Sequence, residues 1–302
     1  MNIALLSIPT DQLKDFVADD ELMIEPLRAL GHAVEFVPWQ SERVWRDYDG
    51  VVIRTTWDYQ NDLAHFLRVL EHLQTQTPLA NPLETVKWNA DKKIYLRDIE
   101  RQGAKVVPTI WQTGKIGEPL IEQWYKRLQT SEVVIKPTVG ANAQDARRIK
   151  KGAEDFDALS IIYENRSYMV QPFMTNIVSE GEFSLFYFNG LYSHAILKTP
   201  KPGDFRVQEE HGGYIQPIEP PDNLSVTGEK VLKNILPTPL YARIDFVRMG
   251  LDEFAVMELE LIEPSMYLRT AEHAPHLFAE AIDRWLVCNG KGPEPRRPVS
   301  QP

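Results

Sequence analysis

The stretch Val256-Met257-Glu258-Leu259-Glu260-Leu261-Ile262-Glu263-Pro264 decides how this chain is read. Alternate residues of an extended strand share a face, so Glu258 and Glu260 point together, roughly 7 Å apart, while Met257, Leu259 and Leu261 point into a core. Two carboxylates that close repel each other unless a cation lies between them, and the spacing suits one or two divalent ions. Asp245, in Ala242-Arg243-Ile244-Asp245-Phe246, lies on the preceding strand and adds a third oxygen donor. A solvated sheet face produces the same alternation, so this run alone leaves both readings open.

Working outward, 241–248 and 254–262 read as a strand pair across Gly250-Leu251-Asp252-Glu253, and two β-rich runs flank Asn189-Gly190, a strong hairpin signal. A helix over 274–287 follows. At the other end, strands at 2–6, 33–37 and 50–54 alternate with helices at 19–30 and 61–73, the pattern of a small open α/β sheet. Asn81-Pro82 marks a boundary. Beyond it come a helix at 91–101 closed by Gly103, a strand at 106–111, a loop and helix over 114–129, and strands at 132–136 and 168–173. The fold class is therefore α/β followed by α+β. The expected divisions are an N-terminal α/β substrate lobe (1–80), a second lobe (81–172), a third carrying the acids (173–290), and a disordered Pro-rich tail (291–302).

The chain has 302 residues with 33 basic and 43 acidic side chains, a net charge of −10. Such a surface repels phosphate backbones and anionic lipid, which argues against nucleic-acid and membrane partners. Any phosphate must be held by a few placed cations. The single Cys288 cannot form an internal disulfide, and the first residues lack a signal-peptide pattern; both suit a cytoplasmic protein.

Lys136 ends an apolar strand just before the small-residue loop Thr138-Val139-Gly140-Ala141-Asn142-Ala143, a plausible phosphate clamp. The Walker A and G-x-G-x-x-G spacings are absent, as are G-x-S-x-G and H-E-x-x-H. Arg206 and the pair Gly212-Gly213 lie in a long polar segment of the kind that carries function. Arg54 ends a strand of the first lobe and Asp58 follows it, in Arg-Thr-Thr-Trp-Asp-Tyr, where open α/β sheets bind substrate; a capped turn before the next helix explains them equally well.

In this order, from Asn81 to Leu268, the pieces resemble the ATP-grasp superfamily near prokaryotic glutathione synthetase. The runs at 54–59 and 258–265 look more like the branch containing the D-cycloserine-forming cyclo-ligase. The resemblance implies an ATP-grasp fold, two α+β subdomains clasping ATP behind the N-terminal lobe. It makes Lys92 and Lys136 nucleotide lysines, the loop at Gly140 a phosphate flap, Gln171 and Phe173 part of the adenine linker, and Glu182 the ribose acid. Asp245, Glu258 and Glu260 become ligands of Mg2+, two ions in number, with Mn2+ as a substitute. Arg206 corresponds to the arginine that stabilises the transferring phosphoryl group, and Lys198 to a basic residue near the acceptor carboxylate. The implied activity is ATP-dependent activation of a small-molecule carboxylate as an acyl phosphate and its coupling to an amine or similar nucleophile, in a chain free to form homo-oligomers. A grasp-fold nucleotide binder without ligase chemistry and a small-molecule kinase are the alternatives.

Overall fold

Strand β1 (Asn2–Ser7) is apolar on both faces because it is covered on both. The computed structural model describes residues 1–9, 11–153 and 155–290; the expected tail at 291–302 lies outside them. After β1 come α1 (Ile24–Ala29), β2 (Ala33–Pro38), β3 (Gly50–Thr55), α2 (Leu63–Gln74) and β4 (Leu79–Ala80), giving a parallel sheet ordered β2-β1-β3-β4. Ala4, Leu6, Val51 and Ile53 face a core with Phe66, Leu70 and Leu73 of α2. Ile3, Leu5 and Val52 face the opposite core, which is built largely by a helix from the far end of the chain.

The second group is α3 (Leu83–Asn89), α4 (Lys92–Arg101), β5 (Ile110–Thr113), α5 (Glu118–Leu128), β6 (Glu132–Pro137), β7 (Arg147–Lys150), α6 (Phe156–Tyr163) and β8 (Ser167–Pro172). Its antiparallel sheet runs β5-β8-β6-β7. The strand expected at 106–111 begins only at Ile110: Pro108 cannot donate to a ladder, and Val106 instead makes an isolated bridge to Val256. The third group is α7 (Asn176–Ser179), β9 (Glu182–Phe188), β10 (Leu191–Thr199), β11 (Tyr214–Ile218), α8 (Asp222–Lys233), β12 (Tyr241–Gly250), β13 (Glu253–Glu260) and α9 (Ala274–Asn289), around the sheet β11-β10-β9-β12-β13. Helix α9 packs Ala274, Phe278, Ile282 and Leu286 against both this sheet and the first lobe. Its approach to β3 is so close that a Cβ on Gly50 would lie 2.5 Å from Leu286 Cδ2.

Central strand β9 is buried throughout. Phe183, Leu185 and Tyr187 face α8 and α4, whereas Phe186 and Phe188 face α9. The α9 side of the five-stranded sheet is thus apolar at one end, with Phe186, Phe188, Ile196 and Tyr241. At its other end the same side carries charge. Two buried asparagines fix the lie of β13. Asn89 Nδ2 donates to Leu259 O at 2.8 Å and its Oδ1 accepts from Leu261 N at 2.8 Å, so an amide side chain takes the place of a neighbouring strand. Asn81 likewise donates to Tyr241 O at 3.1 Å and Leu261 O at 2.9 Å.

His194 of β10 sits at the apolar end, stacked on Phe186 at 4.2 Å between ring centroids, with its ring nitrogens paired to Ser193 Oγ and Met266 O. Burial pushes its pKa down to about 4 from 6.5. A depressed histidine contributes stability that is complete above pH 6.5 and lost as pH falls toward 4, by up to about 1.4 kcal/mol per pH unit. Urea midpoints measured from pH 7 to pH 4 are therefore expected to fall more steeply for the wild type than for His194→Gln.

Candidate active site

The charged end of the sheet is set by strand register. Asp245 lies opposite Ser184 on β9 and Glu258 on β13, Arg243 opposite Glu260, and Lys198 opposite Glu182. The β12–β13 ladder slips between Asp245 and Phe246, whose partners are Glu258 and Val256, leaving Met257 as an extra residue. Met257, expected in the core, is instead half-buried and lines a cavity. Carboxylate oxygens of Asp245, Glu258 and Glu260 lie within 4.8 Å of one another, an all-oxygen donor set that fits a hard divalent cation such as Mg2+.

Each acid is matched by a cation. Lys198 Nζ, almost wholly buried, lies 2.5 Å from Glu182 and 3.2 Å from Asp245. Arg243 clasps Asp245 with Nη2 at 3.0 Å, pairs with Glu260, and reaches Ser265 O at 3.3 Å. Lys92, at the start of α4, lies 3.0 Å from Glu258 and donates to Gly140 O at 2.6 Å. Burial alone would raise the Asp245 carboxyl, but Arg243 and Lys198 hold it down at about 2. At Glu260 burial wins over Arg243 and, with Glu258 and Asp245 nearby, pushes the carboxyl up to about 7. Burial pushes Glu263 up to about 8, with Glu260 adding to the effect.

These groups line a cleft open to solvent. The second sheet contributes Lys136 and the loop after β6; the first lobe contributes Phe16, Trp57 and Tyr59. In the loop, Asn142, Ala143 and Asp145 adopt positive φ of 51°, 52° and 59°, so residues other than glycine make its left-handed turns. A narrower slot adjoins the cleft, sharing Lys136 and Glu182 and walled by Val134, Gln171, Phe173, Met174 and Met257. Arg148 stacks over Phe173 at 3.6 Å. From the far side His211 Nε2 meets Asn142 O at 3.2 Å, and Gln208 and Glu210 line the cleft.

The structure brings Lys92, Lys136, Gly140, Glu182, Lys198, Asp245, Glu258 and Glu260 to one cleft, and Gln171 and Phe173 to the adjoining slot. Other expected residues lie elsewhere. Arg54 is fully buried, salt-bridged to Asp20 at 2.6 Å and packed over Tyr241 and Phe278, so it braces the first lobe and is not among the residues lining the cleft. Asp58 accepts from Trp39 Nε1 at 2.6 Å and Gln40 Nε2 at 2.8 Å, a turn-fixing role. Gly212 and Gly213 shape the covering loop: a Cβ on Gly213 would lie 2.0 Å from Val207 O. Arg206 lines the slot, its guanidinium held 2.8 Å from Asp204, and it is Arg243 that stands among the acids. Arg243 is two residues before Asp245 on one strand, so the alternation used for Glu258 and Glu260 could have found it. Trp57, Tyr59 and Glu263 carried no such signal. Removing one partner from a buried charge network leaves the other uncompensated. Lys198→Met is accordingly expected to cost about 3–5 kcal/mol by denaturant unfolding.

The family described as the N-terminal domain of D-cycloserine synthetase DcsG matches residues 3–81. The cycloserine biosynthesis protein DcsG of Streptomyces lavendulae is 29% identical over 274 residues, covering 86% of this chain and 91% of that protein. A crystal structure of D-cycloserine synthetase DcsG superposes with a TM-score of 0.82 and 26% identity, over 95% of this chain and all (100%) of that one. D-alanine–D-alanine ligase from Bacillus anthracis, solved with ATP, gives a TM-score of 0.67 at 16% identity over 95% of this chain and 98% of its own. An ATP-grasp RimK domain protein from Sphaerobacter thermophilus gives 0.65 at 18% identity over 93% and 99%. The chain has the ATP-grasp fold and is a homologue of D-cycloserine synthetase DcsG.

Proposed function

We propose that this protein is an ATP-dependent ligase that activates a small-molecule carboxylate as an acyl phosphate and couples it to a nitrogen or similar nucleophile, releasing ADP and phosphate. The observation that carries the reading is one sheet face on which Lys198 and Arg243 interleave with Asp245, Glu258 and Glu260, completed by Lys92 and Lys136 at one cleft. Similarity to a D-cycloserine synthetase supports a substrate of amino-acid type, with intramolecular coupling as the favoured form.

Carboxylate and triphosphate are both anions, so the first task is to cancel their repulsion. Lys136 makes no salt bridge among the described residues, although its charge helps to hold Glu258 below the usual carboxylate range and opposes the burial that raises Glu182. In the proposed reaction Lys136 meets phosphate oxygens directly, while Lys92 and Arg243 turn from their carboxylates toward the transferring group. Asp245, Glu258 and Glu260 would hold magnesium, which supplies Lewis-acid neutralisation of the phosphates. Two ions, and manganese as a substitute, belong to the same proposal. The slot beside Phe173 and Gln171 has the flat apolar walls that suit a purine base. Contact between His211 and Asn142 joins the two loops over the cleft, and their closure keeps water from the acyl phosphate. An exposed, unpaired Cys288 suits a reducing cytoplasmic setting.

ADP release with Mg-ATP and a panel of amino acids tests the assignment. Glu258→Gln is expected to lower kcat at least a hundredfold with an unchanged circular dichroism spectrum. Arg206→Ala is expected to raise the KM for ATP and change kcat less than tenfold, whereas Arg243→Lys lowers kcat at least a hundredfold. Full activity in Glu258→Gln would overturn the reading.

A further inference from the structure

Glu263 is left over by this chemistry. It is the third acid of the run Glu258-Leu259-Glu260-Leu261-Ile262-Glu263, yet it falls beyond the end of β13 and outside the cluster of mutually close carboxylates. Its residue is 7% exposed and lines the cleft. The nearby cations are spent elsewhere, Lys92 on Glu258 and Arg243 on Asp245 and Glu260. Among the described residues no side chain forms a salt bridge with the Glu263 carboxyl group or donates to it. Lys92 and Arg243 act on it only from a distance; burying an acid with no direct ion-pair partner is expensive, and folding alone gives no reason to keep one.

The surroundings say what would complete it. Trp57 Nε1 donates to Glu263 O at 2.9 Å, which ties an aromatic residue of the first lobe to this peptide. Phe16 stacks near Trp57 at 5.1 Å between centroids, and Phe16, Trp57 and Tyr59 share the cleft wall with Glu263. A carboxyl group on a cleft wall that also carries aromatic rings can receive an organic cation, through an ion pair and the ring quadrupole together.

Resting on the ligase reading above, we propose that Glu263 is a specificity-determining residue that receives the ammonium group of an amino-acid-type substrate, with Trp57 and Tyr59 forming the rest of that subsite. An ammonium held there is protonated and has no lone pair. The nucleophile that displaces phosphate is therefore a different atom of the substrate, or a second molecule, and the amine at Glu263 anchors without reacting. The subsite thus selects zwitterions over simple carboxylic acids.

The test compares wild type and Glu263→Gln in Mg-ATP-dependent ADP release, using D- and L-amino acids each beside its desamino carboxylate. Wild type is expected to prefer the amino-bearing member at least tenfold in kcat/KM. Glu263→Gln is expected to abolish that preference by raising KM for the amino-bearing member. The melting temperature of ligand-free Glu263→Gln is expected to equal or exceed that of wild type, since a buried unpaired acid is removed. Preference retained in the variant, or a melting temperature below wild type, overturns the proposal while leaving the ligase assignment standing. A wild type that releases no ADP with any carboxylate overturns the ligase reading and this inference with it.

Discussion

Everything at the cleft depends on keeping several charges on a sheet face whose other half is packed core. Asp245 is almost fully buried, and the clasp of Arg243, the Lys198 ammonium and a hydroxyl from Ser184 keep it ionised there. Neither cation is decorative. Burial opposes charge in both, and the acids around them outweigh it. A network of this kind adds little net stability compared with an apolar replacement. Its value lies in position: cations and carboxylates are stored in register, each ready to exchange its partner for a phosphate oxygen or a metal ion.

Strand β9 is what makes that storage possible. Its odd-numbered residues seal the sheet against α8 and α4, while Phe186 and Phe188 hold α9 on the other side. Where α9 ends, Ser184 and Glu182 continue the same side into the cleft, and Ser184 Oγ donates to Asp245 at 2.5 Å. Helix α9 also packs on β1 and β3, so the first lobe is anchored to the sheet that carries the acids. That anchoring is what sets Trp57 and Tyr59 against Glu263.

Much of this was legible from local pattern. The Asn189-Gly190 hairpin, the alternation of Glu258 and Glu260, and the glycine-closed helix before Gly103 each follow from short-range rules. Helices α3 and α8 and strand β7 carried weaker signals, since their apolar residues are few or interrupted by charge, while α6 is short and β11 holds Pro217; tertiary packing defines them. Arg54 shows the limit most plainly. An arginine at the end of a buried strand reads like a ligand contact, and only the fold reveals Asp20 and two aromatic rings around it. Arg206 and Arg243 could not be ranked from sequence, because the choice depends on which loop or strand faces the acids.

Strand β13 is the outermost strand of its sheet, a place where exposed backbone normally invites another chain to add on. Here Lys105 O accepts from Val256 N at 2.8 Å and Val107 N donates to Val256 O at 3.2 Å. Asn89 then occupies the backbone groups of Leu259 and Leu261. With irregular chain and an amide filling those positions, the rim beside the acids offers no template for intermolecular strand pairing. The protein can therefore carry a long, largely apolar edge strand next to its most chemically active surface without that edge becoming a seed for aggregation.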